Sequence, residues 1–156
     1  LKQYINHTGT CTWHQFTYFP NEGHRSGAYK PSKNFAFQNA LGLVLRGYPF
    51  DNPIEEIRLE MVANQTSNHL TPSRPIPVFV CYIGSETLDL PIGQVKTHHL
   101  RISHTEGPTN GNRPVHDYWF AADGSVPRLH VMVQYKGPVG ITYKLRKQIR
   151  WAYWKR

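Results

Sequence analysis

The sequence is poor in cysteine, in acidic residues and in long apolar runs. Its 156 residues include 2 Cys, and 10 Asp and Glu stand against 18 Lys and Arg, so the formal net charge is +8. No apolar run reaches about 18 residues, and we therefore expect no transmembrane helix. Neither CxxC nor another zinc-binding pattern of Cys and His occurs, which argues against a structural zinc site. The excess of positive charge predicts an anionic partner.

Motifs of enzyme chemistry are also absent. The sequence has no P-loop, no dinucleotide-binding glycine fingerprint, no HExxH and no GxSxG elbow. Ser103-His104 and His116-Asp117 look like triad fragments, but no nucleophile motif accompanies them. Of the 9 histidines, His98, His104 and His116 would converge only if their strands were neighbours. We therefore expect no enzyme, no metal and no cofactor.

The cysteines and two glycosylation sequons leave a secreted protein open. Cys11 and Cys81 lie in separate strand-like runs. A disulfide between them is compatible with the sequence, but two free buried thiols are the favoured reading, since free Cys is a common core residue. Asn6 and Asn64 each begin an N-x-S/T sequon, which has meaning only in a secreted protein. The sequence begins at Leu1 without the pattern of a signal peptide.

Short strands separated by turns account for most of the sequence. Gly and Pro number 12 each, and alternation of apolar and polar residues is more frequent than any helical stripe, which is typical of half-buried strands. Aromatic residues reach 13%, which argues against disorder. The predicted strands are Cys11–Phe19, Phe35–Arg46, Ile57–Ala63, Val78–Ile83, Val95–His104, Val115–Ala121, Leu129–Lys136 and Ile141–Trp154.

Eight strands joined by loops of uneven length predict an all-β fold. We expect a single domain over residues 1–156, an eight-stranded antiparallel jelly-roll sandwich of two four-stranded sheets. A barrel of uniform hairpins would have more even spacing. Within this scheme Phe35–Arg46 is a strand buried on both faces, whereas Asn21–Ser32 is a loop and Ser85–Gly93 is irregular.

The last predicted strand carries an unusual share of the positive charge. Residues 136–156 contain seven cations and no acid. Because side chains alternate along a strand, Ile141 and Tyr143 would pack on the core, while Lys144 and Arg146 would project from the other face about 7 Å apart. That spacing suits contacts with the phosphates of a single strand, and nearby aromatic rings could stack on bases. The competing reading is a solvated face whose lysines prevent aggregation. The predicted nucleic-acid-binding residues are Lys2, Lys144, Arg146, Lys147, Arg150, Lys155 and Arg156.

The acidic residues cluster elsewhere in the chain. Asp51, Glu55, Glu56 and Glu60 lie within ten residues of one another. Paired carboxylates can act as acid and base, but Glu56 and Glu60 share one polar strand face with Arg58 between them, which favours a solvated face or a subunit contact. A basic end and an acidic middle could also let copies of the chain associate through complementary charge.

The order of strands over residues 35–156 resembles that of small viral coat proteins. In Phe50–Val62 a turn leads into an alternating strand, which is similar to the third strand of their single jelly roll, and Pro77–Ile83 is similar to the dense strand that follows. Arg128–Tyr135 resembles their penultimate strand. Tyr143–Tyr153 alternates basic and apolar residues before its aromatic end and resembles their closing strand. Circoviruses, geminiviruses, nanoviruses and small plant RNA viruses share this layout.

The resemblance implies a capsid protein that self-assembles into a small icosahedral shell and packages single-stranded DNA or RNA through a basic inner surface. It implies many copies of the chain as partners, no membrane span, and a location in the virion or, during assembly, in the host nucleus or cytoplasm. The family usually carries an Arg-rich N-terminal arm, whereas here only Lys2 precedes Arg25, and any such arm would precede residue 1.

Two other functions remain open from the sequence. One is a secreted or surface β-sandwich that binds glycan or an acidic partner, which predicts a Cys11–Cys81 disulfide and occupied sequons. The other is a cellular β-sandwich that reads duplex DNA, which predicts an affinity that depends on base sequence. A coat protein predicts almost no such dependence, because it contacts mainly the phosphate backbone.

Overall fold

The computed structural model describes residues 2–5, 9–17, 23–30, 32, 34–62, 75–104, 115–122, 129–136 and 140–147. These residues form ten strands and one short α-helix, which lies between two 3-10 turns, Gln38–Ala40 and Leu45–Gly47. No helix in this part of the chain is long and apolar enough to cross a membrane. The elements are β1 Lys2–Ile5, β2 Cys11–Thr17, β3 Gly23–Tyr29, β4 Phe35–Phe37, α1 Leu41–Val44, β5 Glu56–Val62, β6 Pro75–Leu90, β7 Gly93–Ser103, β8 Val115–Ala121, β9 His130–Lys136 and β10 Ile141–Lys144.

The strands form two sheets of unequal size. β1, β2 and β3 make a three-stranded antiparallel sheet. The other seven make a mixed sheet in the order β10-β9-β8-β7-β6-β5-β4, antiparallel except for the parallel pair of β4 and β5. The prediction of an all-β fold is confirmed. The grouping differs from the predicted two four-stranded sheets, because neighbouring strands are consecutive in the chain and pair within one sheet rather than crossing between two.

The main core covers one face of the seven-stranded sheet. Leu100, Tyr118 and Val133 lie side by side in register on β7, β8 and β9, and all three are buried. The segment around α1 packs against this face, and burial of each large apolar side chain contributes about 1.5–3 kcal/mol. The buried residues of the segment around α1 are Leu41, Leu45, Tyr48 and Phe50.

The opposite face of the sheet is partly polar. Asp117, Trp119 and Ala121 alternate with Tyr118 and Phe120 along β8, so they project away from the main core. A smaller apolar cluster covers one part of this face, and charged side chains occupy another. The cluster consists of Leu90, Val95, Trp119, Ala121 and Val131.

The prediction of a doubly buried strand over Phe35–Arg46 is wrong beyond Phe37. Only β4 is extended, and the chain then turns into the 3-10 and α-helical segment. Leu41 and Leu45 are buried, whereas Leu43 is 64% exposed. A spacing of four between the buried leucines is helical, and a short apolar run does not by itself distinguish a strand from a helix.

Two segments predicted as irregular contain strands. β3 occupies most of Asn21–Ser32, and β6 continues through Ser85 to Leu90. β1, at Lys2–Ile5, was not predicted either. In β3 and in the second half of β6, pairing with the partner strand overrides the weak strand propensity of Gly and polar residues.

The last strand is shorter than the predicted Ile141–Trp154. β10 ends at Lys144, and residues 145–147 are not in a strand although Leu145 still donates a backbone hydrogen bond to Val131. Residues 148–156 lie outside the described part of the chain. The predicted alternation is therefore observed only over the four residues of β10.

Candidate nucleic-acid interface

The basic residues that follow β9 lie at one edge of the seven-stranded sheet. β10 is the last strand in the sheet order and pairs only with β9 in the described residues. Lys144 ends this strand, and Arg146 and Lys147 follow it directly. All three side chains are exposed.

These three cations are not neutralised within the described residues. No carboxylate in that part of the chain lies within ion-pair distance of Lys144, Arg146 or Lys147. By contrast, Arg101 and Lys136 both contact Asp117. The edge therefore presents positive charge that is available to an anionic partner.

Three of the seven predicted binding residues are described at this edge. Lys2 lies in β1, which belongs to the three-stranded sheet rather than to the sheet that contains β10. Arg150, Lys155 and Arg156 lie outside the described residues. The described part of the predicted site consequently consists of Lys144, Arg146 and Lys147.

The apolar residues of β10 face the predicted side but do not enter the core. Tyr143 pairs with Val133 and therefore shares the face of the main core. Ile141 is nevertheless 43% exposed and Tyr143 59% exposed. The prediction that both pack on the core is wrong, because an edge strand lies beyond the area that the α1 segment covers. Leu145, predicted on the same face, packs instead against the smaller cluster.

A groove at this sheet edge is lined by residues of β9 and β10 and by Leu145. Its volume is about 390 Å³. Tyr135 and Tyr143 meet in it edge to face, with ring centroids 5.9 Å apart and planes at 89°. Aromatic surface thus lies beside the exposed cations. The lining residues are His130, Val131, Met132, Val133, Tyr135, Tyr143, Lys144 and Leu145.

The acidic stretch lies toward the other end of the same sheet. Glu56 and Glu60 are in β5, which is separated from β10 by four strands. Asp51 and Glu55 precede β5 and are exposed. Arg58, between the two strand carboxylates, projects over the ring of Phe79. The strand order therefore places the acidic and basic segments of the chain at opposite ends of one sheet.

A buried polar network crosses the middle of the sheet on the face opposite the main core. Asp117 has no exposed surface, and its Oδ1 accepts hydrogen bonds of 2.9 Å from His99 Nε2 and Arg101 Nε. Lys136 Nζ lies 2.9 Å from Oδ2, although its angle falls outside hydrogen-bond geometry. Burial by itself raises the pKa of Asp117, but the contacts with His99, Arg101 and Lys136 outweigh it and hold that pKa well below its usual range.

His99 connects this carboxylate to a second one. Its Nδ1 lies 3.4 Å from Glu86 Oε1, which also accepts a 2.6 Å hydrogen bond from Trp119 Nε1. The His99 ring stacks on Trp119 with centroids 4.2 Å apart. Both ring nitrogens therefore contact carboxylates, and neither points at a hydroxyl or a thiol. This arrangement fixes side-chain positions on β6, β7 and β8.

This network is not evident from the sequence, because its members are not adjacent in the chain. His116 and Asp117 are adjacent, yet alternation along β8 sends their side chains to opposite faces. The true partner, His99, lies 18 residues away and is brought close only by the pairing of β7 with β8. A sequence signal for this contact exists: the two neighbouring predicted strands both carry polar residues at alternating positions.

β7 and β8 are neighbours, and His104 lies near His116, but in the described residues His98 does not join them in one site. His98 Nδ1 contacts the hydroxyls of Tyr82 and Ser85, whereas His116 packs edge to face on Tyr135. Burial, together with the nearby charge of His104, lowers the pKa of His116. In the described residues no group of three or more His, Cys, Asp or Glu is arranged to hold a metal ion.

Cys81 carries a free, buried thiol. It donates a hydrogen bond to Glu56 Oε2 over 3.4 Å. Burial, followed by this hydrogen bond, raises the pKa of the thiol to about 11, which makes it a poor nucleophile at neutral pH. The free thiol agrees with the favoured reading for Cys81, while the side chain of Cys11 lies outside the described residues.

Comparison with known proteins gives no relative. No protein-family model matches the chain, and no curated protein sequence and no solved structure matches it either.

Proposed function

We propose that this protein binds single-stranded nucleic acid through the cationic segment Lys144–Lys147 and that copies of it enclose the nucleic acid as a viral coat. One observation carries the proposal: three exposed cations lie at a sheet edge with no acidic partner in the described residues. Such a segment neutralises phosphates and releases their counterions, so it binds without reading base sequence.

The charge of the whole chain supports an anionic partner. The net charge is +8, and residues 136–156 hold seven cations and no acid. The segregation of acidic and basic segments to opposite ends of one sheet also favours head-to-tail contacts between copies, which close into rings or shells when the rotation between copies permits. In a coat, the basic edge would face the enclosed nucleic acid inside the virion.

The fold gives this proposal no independent support. A jelly roll of two four-stranded sheets remains the fold that the viral resemblance implies, whereas the described strands form a seven-stranded and a three-stranded sheet. The proposed function is therefore supported by the charge and by its position at a sheet edge. It is not supported by a similarity of fold. The secreted binding module loses one of its expected features, because Cys81 is a free thiol.

Binding to an oligonucleotide as a function of salt tests the nucleic-acid function. We expect the wild-type chain to bind labelled dT20 and rU20 with similar affinity and to weaken steeply with salt. Replacing Lys144, Arg146 and Lys147 by Gln should reduce the salt slope by about 2, since each contacted phosphate of a single strand contributes about 0.7. Fluorescence anisotropy between about 50 and 200 mM salt measures both quantities.

A control with the same net charge separates the segment from the charge of the whole chain. Lys30, Arg58 and Lys96 are exposed, and none of them belongs to β9 or β10. Their triple Gln variant should keep most of the salt slope. Equal losses in both variants, or no binding by the wild type, would refute a role for the segment. Electron microscopy of protein mixed with single-stranded nucleic acid should reveal closed particles, and only monomers at every salt concentration would contradict the coat.

A further inference from the structure

We propose that the groove lined by β9 and β10 holds one nucleobase of a bound single strand, stacked on Tyr143, while Lys144 contacts a neighbouring phosphate. This base site rests on the nucleic-acid function proposed above and adds to it a contact that the cations alone do not supply. The ligand class is a nucleotide within a single strand, in DNA or RNA.

Tyr143 has the exposure that a stacking platform requires. Its side chain is 59% exposed although its strand position faces the main core. Tyr135 meets it at 89°, so this contact orients the Tyr143 ring without covering it by a parallel ring. In the described residues no other ring stacks on Tyr143. Aromatic rings with an open face at the surface are the usual platforms for unpaired bases.

The surroundings of Tyr143 fit the two chemical parts of a nucleotide. Val133 and Tyr135 lie beside Tyr143 and give a base an apolar surface on that face of the sheet edge. Lys144, the next residue, projects to the other face of the same edge and gives a cation for the neighbouring phosphate. Its volume of about 390 Å³ lies within the range of small-molecule sites, roughly 300–1,000 Å³. None of the lining residues is acidic, so nothing in the groove repels the sugar-phosphate backbone.

The lining residues also indicate which nucleic acids the groove accepts. Of the side chains that commonly read base edges, namely Arg, Lys, Asn, Gln, Asp and Glu, it contains only Lys144, which the proposal assigns to a phosphate. Every base has a π-face, so stacking on Tyr143 tolerates all four bases. Bases in a duplex already stack on one another, and the groove therefore selects single strands over duplexes.

The experiment compares dT20 with an abasic oligonucleotide of equal length and charge. We expect Tyr143→Ala to weaken binding of dT20 roughly 5- to 150-fold, because loss of one base–aromatic stack costs about 1–3 kcal/mol. Tyr143→Phe should bind within about twofold of the wild type. Binding of the abasic strand should not change, and the salt slope for dT20 should stay the same.

A matched variant excludes a general effect on the edge strand. Ile141 is exposed on the same face of β10, and Ile141→Ala should leave both affinities unchanged. Equal loss of dT20 and abasic binding in Tyr143→Ala would show a disturbed strand and overturn the base site. No loss in Tyr143→Ala, together with a loss in the Lys144, Arg146 and Lys147 variant, would overturn the base site and leave the proposed phosphate contacts standing. Failure of the wild type to bind either oligonucleotide would refute both.

Discussion

Asp117 is a carboxylate without exposed surface, placed among three cationic or potentially cationic side chains. Burial of a lone carboxylate costs several kcal/mol, and partners with good geometry offset that cost. His99 and Arg101 come from β7, and Lys136 comes from β9. One residue therefore connects three neighbouring strands on the polar face of the sheet.

We expect Asp117→Asn to lower the free energy of unfolding by about 3 kcal/mol, because removal of one member of a buried ion pair leaves its partners uncompensated. Urea unfolding followed by tryptophan fluorescence measures the change. Asp89 is exposed, so Asp89→Asn should stay within about 0.5 kcal/mol of the wild type. A loss below about 1 kcal/mol in Asp117→Asn would contradict the structural role of this carboxylate.

The Asp117 carboxylate should also make the free energy of unfolding depend on pH. Its pKa in the folded chain lies below the value in the unfolded chain, which is about 3.9. The stabilisation is therefore present above about pH 4 and is lost as the pH falls through the folded pKa. Between about pH 5 and pH 2 the wild type should lose stability more steeply than Asp117→Asn. Parallel curves for the two proteins would show that Asp117 does not contribute.

At the scale of elements, β6 illustrates how one residue allows a strand to continue. The register of β6 against β7 shifts between Tyr82 and Gly84. Gly84 has φ +139°, a conformation that L side chains rarely adopt. The predicted strand ends at Ile83 because several of the following residues are polar, whereas the irregularity at Gly84 lets pairing resume and continue to Leu90.

We expect Gly84→Ala to destabilise the chain by roughly 1–2 kcal/mol, since the added Cβ makes this backbone conformation strained. No atom lies within 4 Å of that Cβ position, so a steric clash does not contribute. Gly47 has equal free space and an ordinary φ, and Gly47→Ala should be neutral or slightly stabilising. Thermal unfolding of both variants measures the difference, and equal stabilities would contradict the backbone explanation.

On the scale of the whole molecule, the strand order places the acidic segment near β5 and the basic segment near β10 far apart in one sheet. Four strands separate β5 from β10, which corresponds to roughly 24 Å along the sheet. Glu55 lies at one end and Lys144 at the other, and both are exposed. Because the two ends differ in charge, contact between copies would be head to tail rather than symmetric.

We expect Lys144→Glu to weaken self-association at low salt by roughly tenfold, because it places like charges across the contact between copies. Glu55→Lys should have a similar effect, and the double variant should regain most of the association. Sedimentation velocity without nucleic acid measures this. Lys96→Glu makes the same charge change in β7, in the middle of the sheet, and should have little effect. An equal loss in Lys96→Glu, or no recovery in the double variant, would contradict a contact between the Lys144 end of one copy and the Glu55 end of another.

The amino-acid sequence by itself determined the β-rich class, the basic character of residues 136–156 and the exposure of Lys144, because composition and local alternation are properties of neighbouring residues. Tertiary structure alone decided the sheet order, the helical course of Leu41–Val44 and the contact of His99 with Asp117. Those features depend on pairing between residues far apart in the chain, where burial and register outweigh local propensity.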